Sequence, residues 1–234
     1  MNGEAGESIY TNGSYLEKTG GTWHLEDSPF KAAQVSTMLA RHPEFQPATV
    51  CEIGCGAGGI LAELQKVLPS HTIFTGYEIS TDAHKISLQF ENRRCHYVLG
   101  DAFGDLARYD LALVMDVIEH VEDCFTFLRN TKLKGRWKLY HIPLEAHVSA
   151  ILRGVDSWES VGHLHLFTTE TALKTIEYTG HRIIDWIFTP GAFGKRNSAL
   201  RTQLANLLRV PLWKLGARLT VRLLGGYSIL ILAE

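Results

Sequence analysis

The sequence predicts an α/β fold, with helices covering both faces of a largely parallel sheet. Three observations predict it. Segments with strand composition alternate with segments of helical periodicity from residue 48 onward. The segment Asp110–Met115 reads as a buried strand. A glycine-rich turn, Gly54-Cys-Gly-Ala-Gly-Gly59, lies between the first of these strands and the helix after it.

Taken in order, residues 1–27 are polar, glycine-rich and irregular. Ser28-Pro29 opens a helix, with Ser28 as N-cap and Pro29 at the first helical position. Its apolar residues Phe30, Ala33, Val35, Met38 and Leu39 recur at roughly helical spacing, and His42-Pro43 ends it. Strand Ala48–Ile53 leads into helix Gly58–Leu68, strand His71–Tyr77 into helix Thr81–Phe90, and strand Cys95–Leu99 into a short helical stretch over Ala102–Leu106. Strand Asp110–Met115 precedes helix Glu122–Asn130, and Trp137–Ile142 is the next strand. Helix Thr168–Tyr178, closed by Gly180, then leads to strand Arg182–Phe188, and the final strand is Tyr227–Leu232. Between these last two strands, Leu200, Leu204, Leu207, Leu208, Leu212, Leu215, Leu219 and Leu223 suit two amphipathic helices broken at Pro211.

The chain of 234 residues is read as one domain. It divides into an N-terminal arm and helix (1–45), a core (46–190), a helical basic insertion (191–225) and the last strand (226–234). Hydrophobic residues make up 45% and charged residues 21%, which excludes a disordered chain. There is no apolar run long enough to span a membrane and no signal-peptide pattern, so the expected location is cytoplasmic. A net charge of −2 argues against a general nucleic-acid binder. Cys51, Cys55, Cys95 and Cys124 form no C-x-x-C pair and are expected to be reduced. From Gly191 onward, Lys195, Arg196, Arg201, Arg209, Lys214, Arg218 and Arg222 face one acid, Glu234. That segment reads as the solvated face of amphipathic helices. Attraction of an anionic acceptor, contact with a membrane surface, or a homodimer face remain open for it.

The glycine turn is the feature that carries chemistry. Gly54, Gly56 and Gly58 let the backbone turn tightly and approach a ligand, and the helix behind offers free N–H groups. Gly54, Gly56 and Gly59 also satisfy the dinucleotide fingerprint, so the surroundings must decide. Glu52 lies two residues before the turn, Glu78 after the second strand, Asp101 after the third and Asp116 at the end of the fourth. Acids so placed repel a pyrophosphate and favour a cation.

In this order the segments resemble the class I S-adenosylmethionine-dependent methyltransferases. Glu52-Ile-Gly-Cys-Gly-Ala-Gly58 resembles the motif that wraps the methionine part of S-adenosylmethionine (SAM). Glu78 matches the residue that grips the ribose, and Gly100-Asp101-Ala102 the stretch that binds the adenine amino group. Asp110 to Val121, with Asp116 and Val117 at the cofactor, resembles the floor of the active site. Gly225-Gly-Tyr-Ser-Ile-Leu-Ile-Leu resembles the family's last strand. The resemblance implies a Rossmann-like doubly wound seven-stranded sheet, mostly parallel with an antiparallel last strand, and SAM as cofactor. The segments Trp23-His-Leu-Glu-Asp-Ser-Pro-Phe and Gly162-His-Leu-His-Leu-Phe-Thr are similar to a bacterial branch often linked with polysaccharide biosynthesis clusters.

Methyl transfer to oxygen or nitrogen needs alignment and often a base, a role that suits histidine. The candidates are His120 after the fourth strand, His141 at the end of the fifth, and His163 and His165. The last two share one side if their segment is extended. Capping, core or surface roles compete for each. Asp116, Glu119 and these histidines have no diagnostic metal spacing, so no metal is expected. Trp23-His24 reads either as a lid over the cofactor or as an anchor for the arm, and Tyr10 and Tyr15 as a flap or as disorder. The expected function is methyl transfer to a small molecule, plausibly a sugar or glycan precursor. An NAD(P)-dependent oxidoreductase and a non-catalytic SAM-binding protein are the alternatives.

Overall fold

A computed structural model of the chain describes residue 15 and residues 20–152, 162–191, 207, 209–214 and 216–234. Tyr10, Lys195, Arg196, Arg201, Leu200, Leu204, Leu208 and Leu215 lie outside the described residues. The elements are α1 (Ser28–Arg41), β1 (Thr49–Ile53), α2 (Gly59–Val67), β2 (Ile73–Glu78), α3 (Thr81–Ser87), β3 (Cys95–Leu99) and β4 (Tyr109–Met115). They continue with α4 (Cys124–Lys134), β5 (Gly135–Pro143), α5 (Val148–Ile151), α6 (Thr169–Tyr178), β6 (Ile183–Thr189), α7 (Ala217–Leu223) and β7 (Ser228–Ala233).

The seven strands form one sheet in the order β3-β2-β1-β4-β5-β7-β6. The first five pair in parallel, and β7 inserts antiparallel between β5 and β6. The order reverses beside β1, so the carboxyl ends of β1 and β4 flank the switch point where open α/β sheets bind ligands. β1, β4 and β7 are buried along nearly their whole length.

Successive strand residues feed two separate cores. Val50, Phe74, Leu111, Leu113 and Leu139 pack with Val35, Met38, Leu61 and Leu64 of α1 and α2 on one face. Cys51, Ala112, Val114, Tyr140 and Ile142 pack with Leu128 of α4, Ile176 of α6 and Val221 of α7 on the other. Side-chain caps set several helix starts: Asp123 accepts from Thr126 N at 3.0 Å, and Thr168 forms a capping box with Thr171.

Most element ends shift by a few residues from expectation, and two differences have a plain physical reason. Ser28 is the first residue of α1 rather than its cap. Asp27 holds the cap position but its side chain does not cap the helix, because a 3-10 turn over Leu25–Asp27 already leads into it. Pro211 does not break the insertion: residues 209–214 are helical, and the break falls at Gly216, which is extended (φ 177°, ψ 102°) and caps α7. Two of the basic residues there have local partners, Arg222 with Glu170 and Arg218 over the Trp186 ring. The four cysteines are free and buried. Among the described residues, no helix is long and apolar enough to cross a membrane.

Candidate active site

β1 ends in the glycine turn, and the turn is pinned to β2. Gly54 N and Cys55 N both donate to Tyr77 O, at 2.9 and 3.0 Å. Gly56 N donates to Glu78 Oε2 at 2.7 Å, while Ser80 N donates to Glu78 Oε1 at 2.8 Å. A carboxylate can accept more bonds than these two, so Glu78 keeps acceptor capacity for a ligand. Gly54, Gly56 and Gly58 all have positive φ, of 70°, 53° and 78°. Their spaces differ. A Cβ on Gly54 would meet Val117 at 2.9 Å, one on Gly56 would meet Trp23 at 2.9 Å, and one on Gly58 would run into Tyr97. Gly58 therefore serves packing beneath the turn, and Gly56 serves the open side.

A cavity of about 320 Å³ opens beside the turn. Asp27, Glu52, Asp116 and Glu119 line it, with Lys31 among them. Glu52 is 1% exposed and its Oε2 has no partner among the described residues. Burial pushes its carboxyl up to about 8, with Lys31 opposing. Burial also raises Asp116, but His141 and Lys31 beside it pull further the other way and hold it well below the usual carboxylate range. Lys31 Nζ lies 2.7 Å from Asp116 Oδ2. Asp116 has a positive φ of 56°, a strained conformation for a non-glycine residue, and such strain concentrates at functional sites.

The histidines separate. His120 and His163 line the cavity, their rings 4.7 Å apart. His120 Nδ1 donates to Gly162 O at 3.0 Å, and burial pushes its imidazolium down to about 4. His163 Nδ1 lies 2.5 Å from Glu145 Oε2. His141 is buried beneath the cavity, with both nitrogens engaged, by Asp116 (2.5 Å) and by Thr189 (2.8 Å). His165 does not share His163's side. The segment after Gly162 is not a strand; its Leu164 and His165 amides both donate to Glu119 O, turning His165 Nε2 toward Val121 O at 2.8 Å.

Asp101 and Ala102 sit at the end of β3, next to Glu78. Gly100 N donates to Glu78 O at 2.8 Å, and Asp101 Oδ1 accepts from Phe103 N at 2.9 Å. Trp23 lies against Gly56 and Tyr15 stacks edge-on to it at 4.9 Å, so the N-terminal stretch walls the cavity. Lys31 and Glu145 were not foreseen in the sequence. Each reaches the site from an element whose other residues signal only packing or loop.

The family model described as a methyltransferase domain matches residues 25–180. The chain belongs to that family. The methyltransferase is a class I, SAM-dependent enzyme, with the seven-stranded fold of that class. No curated protein sequence matches it. Among solved structures, it is similar to magnesium protoporphyrin IX methyltransferase from Synechocystis PCC 6803 with bound S-adenosylhomocysteine (SAH). That match has TM-score 0.58 and 14% identity, covering 88% of this chain and 82% of the other. It is also similar to a methyltransferase of Haloferax volcanii in complex with the Trm112 methyltransferase activator (TM-score 0.64, 14% identity, 94% and 93% covered). A third is a cyclopropane synthase from Mycobacterium tuberculosis (TM-score 0.57, 13% identity, 86% and 84% covered). The dinucleotide reading of the glycine turn falls with the family assignment.

The residues present fit SAM. Gly56 leaves a cradle that a Cβ would fill, and buried Glu52 offers an unpartnered oxygen to a cationic group.

Proposed function

We propose that the methyltransferase acts on an oxygen or nitrogen of a small molecule, with a sugar or glycan precursor as the leading acceptor class. The observation that carries the reading is the acid-lined cavity beside the glycine turn, which His120 and His163 also line. Bound SAM supplies a methyl group on a sulfonium, a leaving group already activated, so the protein's task is alignment and exclusion of water.

Gly54 and Gly56 with Glu52 hold the amino-acid end in this reading, and Gly58 shapes the turn from beneath. Glu78 takes the ribose hydroxyls with its spare acceptor sites, and Asp101 with Ala102 meets the base. Asp116 and Val117 close the floor, Asp116 held in place by Lys31 and His141. His120 and His163 face the acceptor. A carbonyl and a carboxylate take their Nδ1 protons, so each presents the lone pair of Nε2 toward the acceptor end of the cavity.

Calorimetric titration with SAM and SAH tests the cofactor site. Gly56→Val should abolish binding while the circular dichroism spectrum is kept, because the side chain meets Trp23 and strains a positive φ. Unchanged affinity in that variant sinks the assignment of the turn.

A further inference from the structure

Glu119 lines the cavity yet is fully buried, and neither carboxylate oxygen has a hydrogen-bond partner among the described residues. A buried carboxylate without partners is expensive, and charges kept in such places are usually paired or bound to metal. Two imidazoles face it. His120 Nε2 lies 3.9 Å from Glu119 Oε1, and one ligand atom from each of Glu119, His120 and His163 falls within 4.8 Å of the others.

The outer contacts of both rings point the same way. The Gly162 carbonyl can only accept, so His120 Nδ1 carries the proton and Nε2 the lone pair. Glu145 takes His163 Nδ1–H in the same manner. A second hydrogen bond of this kind, to a carbonyl or a carboxylate, orients histidines that bind metals and raises their basicity. Glu119 is itself fixed from behind, since its carbonyl accepts from Leu164 N (2.7 Å) and His165 N (3.1 Å). That pair of bonds also fastens the His163 segment to the Glu119 turn.

We infer that Glu119, His120 and His163 form a binding site for one divalent transition-metal cation at the acceptor end of the cavity. Two imidazoles and one carboxylate suit zinc, cobalt or manganese better than magnesium, which prefers an all-oxygen shell. Bonds of about 2.1 Å require the three side chains to draw in slightly from their present separation. Three protein ligands leave a position open to the cavity. The acceptor class is then a hydroxyl compound, whose oxygen would bind the ion and, with its acidity raised there, release its proton to solvent water. This rests on the reading of the cavity as the acceptor site, but the metal can be measured without any acceptor.

The test is titration of metal-free protein with Co²⁺, followed by the visible d–d bands, and with Zn²⁺ by equilibrium dialysis. One equivalent should bind per chain. Glu119→Gln, which keeps the shape, and His163→Ala should each weaken binding about tenfold or more. His165→Gln, whose ring points elsewhere, should bind as the native chain does and controls for folding. SAH titrated into the same samples reports on the cofactor site separately. No saturable metal binding by protein that binds SAH overturns the metal site and leaves the methyltransferase reading standing. Metal binding that survives both ligand substitutions overturns it too, as an adventitious ion only.

Discussion

Glu52 shows how one buried side chain ties the fold to the cofactor. Its carboxyl is pushed up to about 8 by burial, so it is protonated in the free protein at neutral pH. A cationic amino group beside it favours the ionised form. SAH affinity should therefore rise by about three- to tenfold per unit as pH goes from 6.5 toward 8, with a proton released on binding near pH 7. Calorimetry in two buffers of different ionisation enthalpy measures both. Glu52→Gln should flatten the pH dependence; an equal slope in that variant removes Glu52 from the account. For stability without ligand the sign is opposite. The folded state binds the extra proton between about 4.5 and 8, so this group's contribution is lost as pH rises through that window. Glu52 and Asp116, which line the cavity, were legible in the sequence because each falls near the carboxyl end of a strand. Lys31 was not, because it lies on a helix whose visible signal is its apolar stripe. The division of labour among the histidines was hidden as well, since it depends on which nitrogen each neighbouring loop engages.

Whole elements are joined by polar contacts that periodicity does not reveal. His181, just before β6, is 4% exposed and bridges three of them. Its Nδ1 faces Thr179 at the end of α6 (3.1 Å), and its Nε2 faces Tyr140 of β5 (2.7 Å), which in turn meets Thr131 of α4. Burial, with Lys138 and Lys132 nearby, lowers its pKa to about 4, so it is neutral in the fold. An unfolded histidine titrates near 6.5, so between about 4 and 6.5 the unfolded state holds more protons and stability falls on acidification. Urea unfolding at pH 6.5 and pH 5 should show a loss of about 1.5 kcal/mol from this group. His181→Gln should be less stable at pH 6.5 yet lose less on going to pH 5. A variant as acid-sensitive as the native chain refutes the assignment. Most strands and helices were readable from composition, within a few residues at their ends. The insertion was less readable, because Pro211 is the stronger breaker in isolation whereas Gly216 is where the chain turns to start α7.

At the scale of the molecule, the cavity gathers walls from distant parts of the chain: Trp23 from the N-terminal stretch, Lys31 from α1, the β1 turn, the end of β4, and Ser228 at the start of β7. A ligand seated there holds these walls together, so cofactor binding should stabilise the fold as a unit. At a hundred times its dissociation constant, SAH should contribute about 2.7 kcal/mol by mass action. For a domain of this size that is a rise in Tm of about 5 to 10 °C. NADH should give none, since the acids along the cavity oppose a pyrophosphate. Trp23 offers a local reading of the same event. It is one of five tryptophans, and among the described ones it alone lies against Gly56. SAH should shift the tryptophan emission of the native chain, and Trp23→Phe should lose most of that shift while keeping a smaller rise in Tm. If NADH raises Tm as SAH does, the cavity is not selective for a cation. If SAH raises Tm but the emission change persists in Trp23→Phe, the cofactor lies away from the N-terminal wall, and the cavity described is not where it binds.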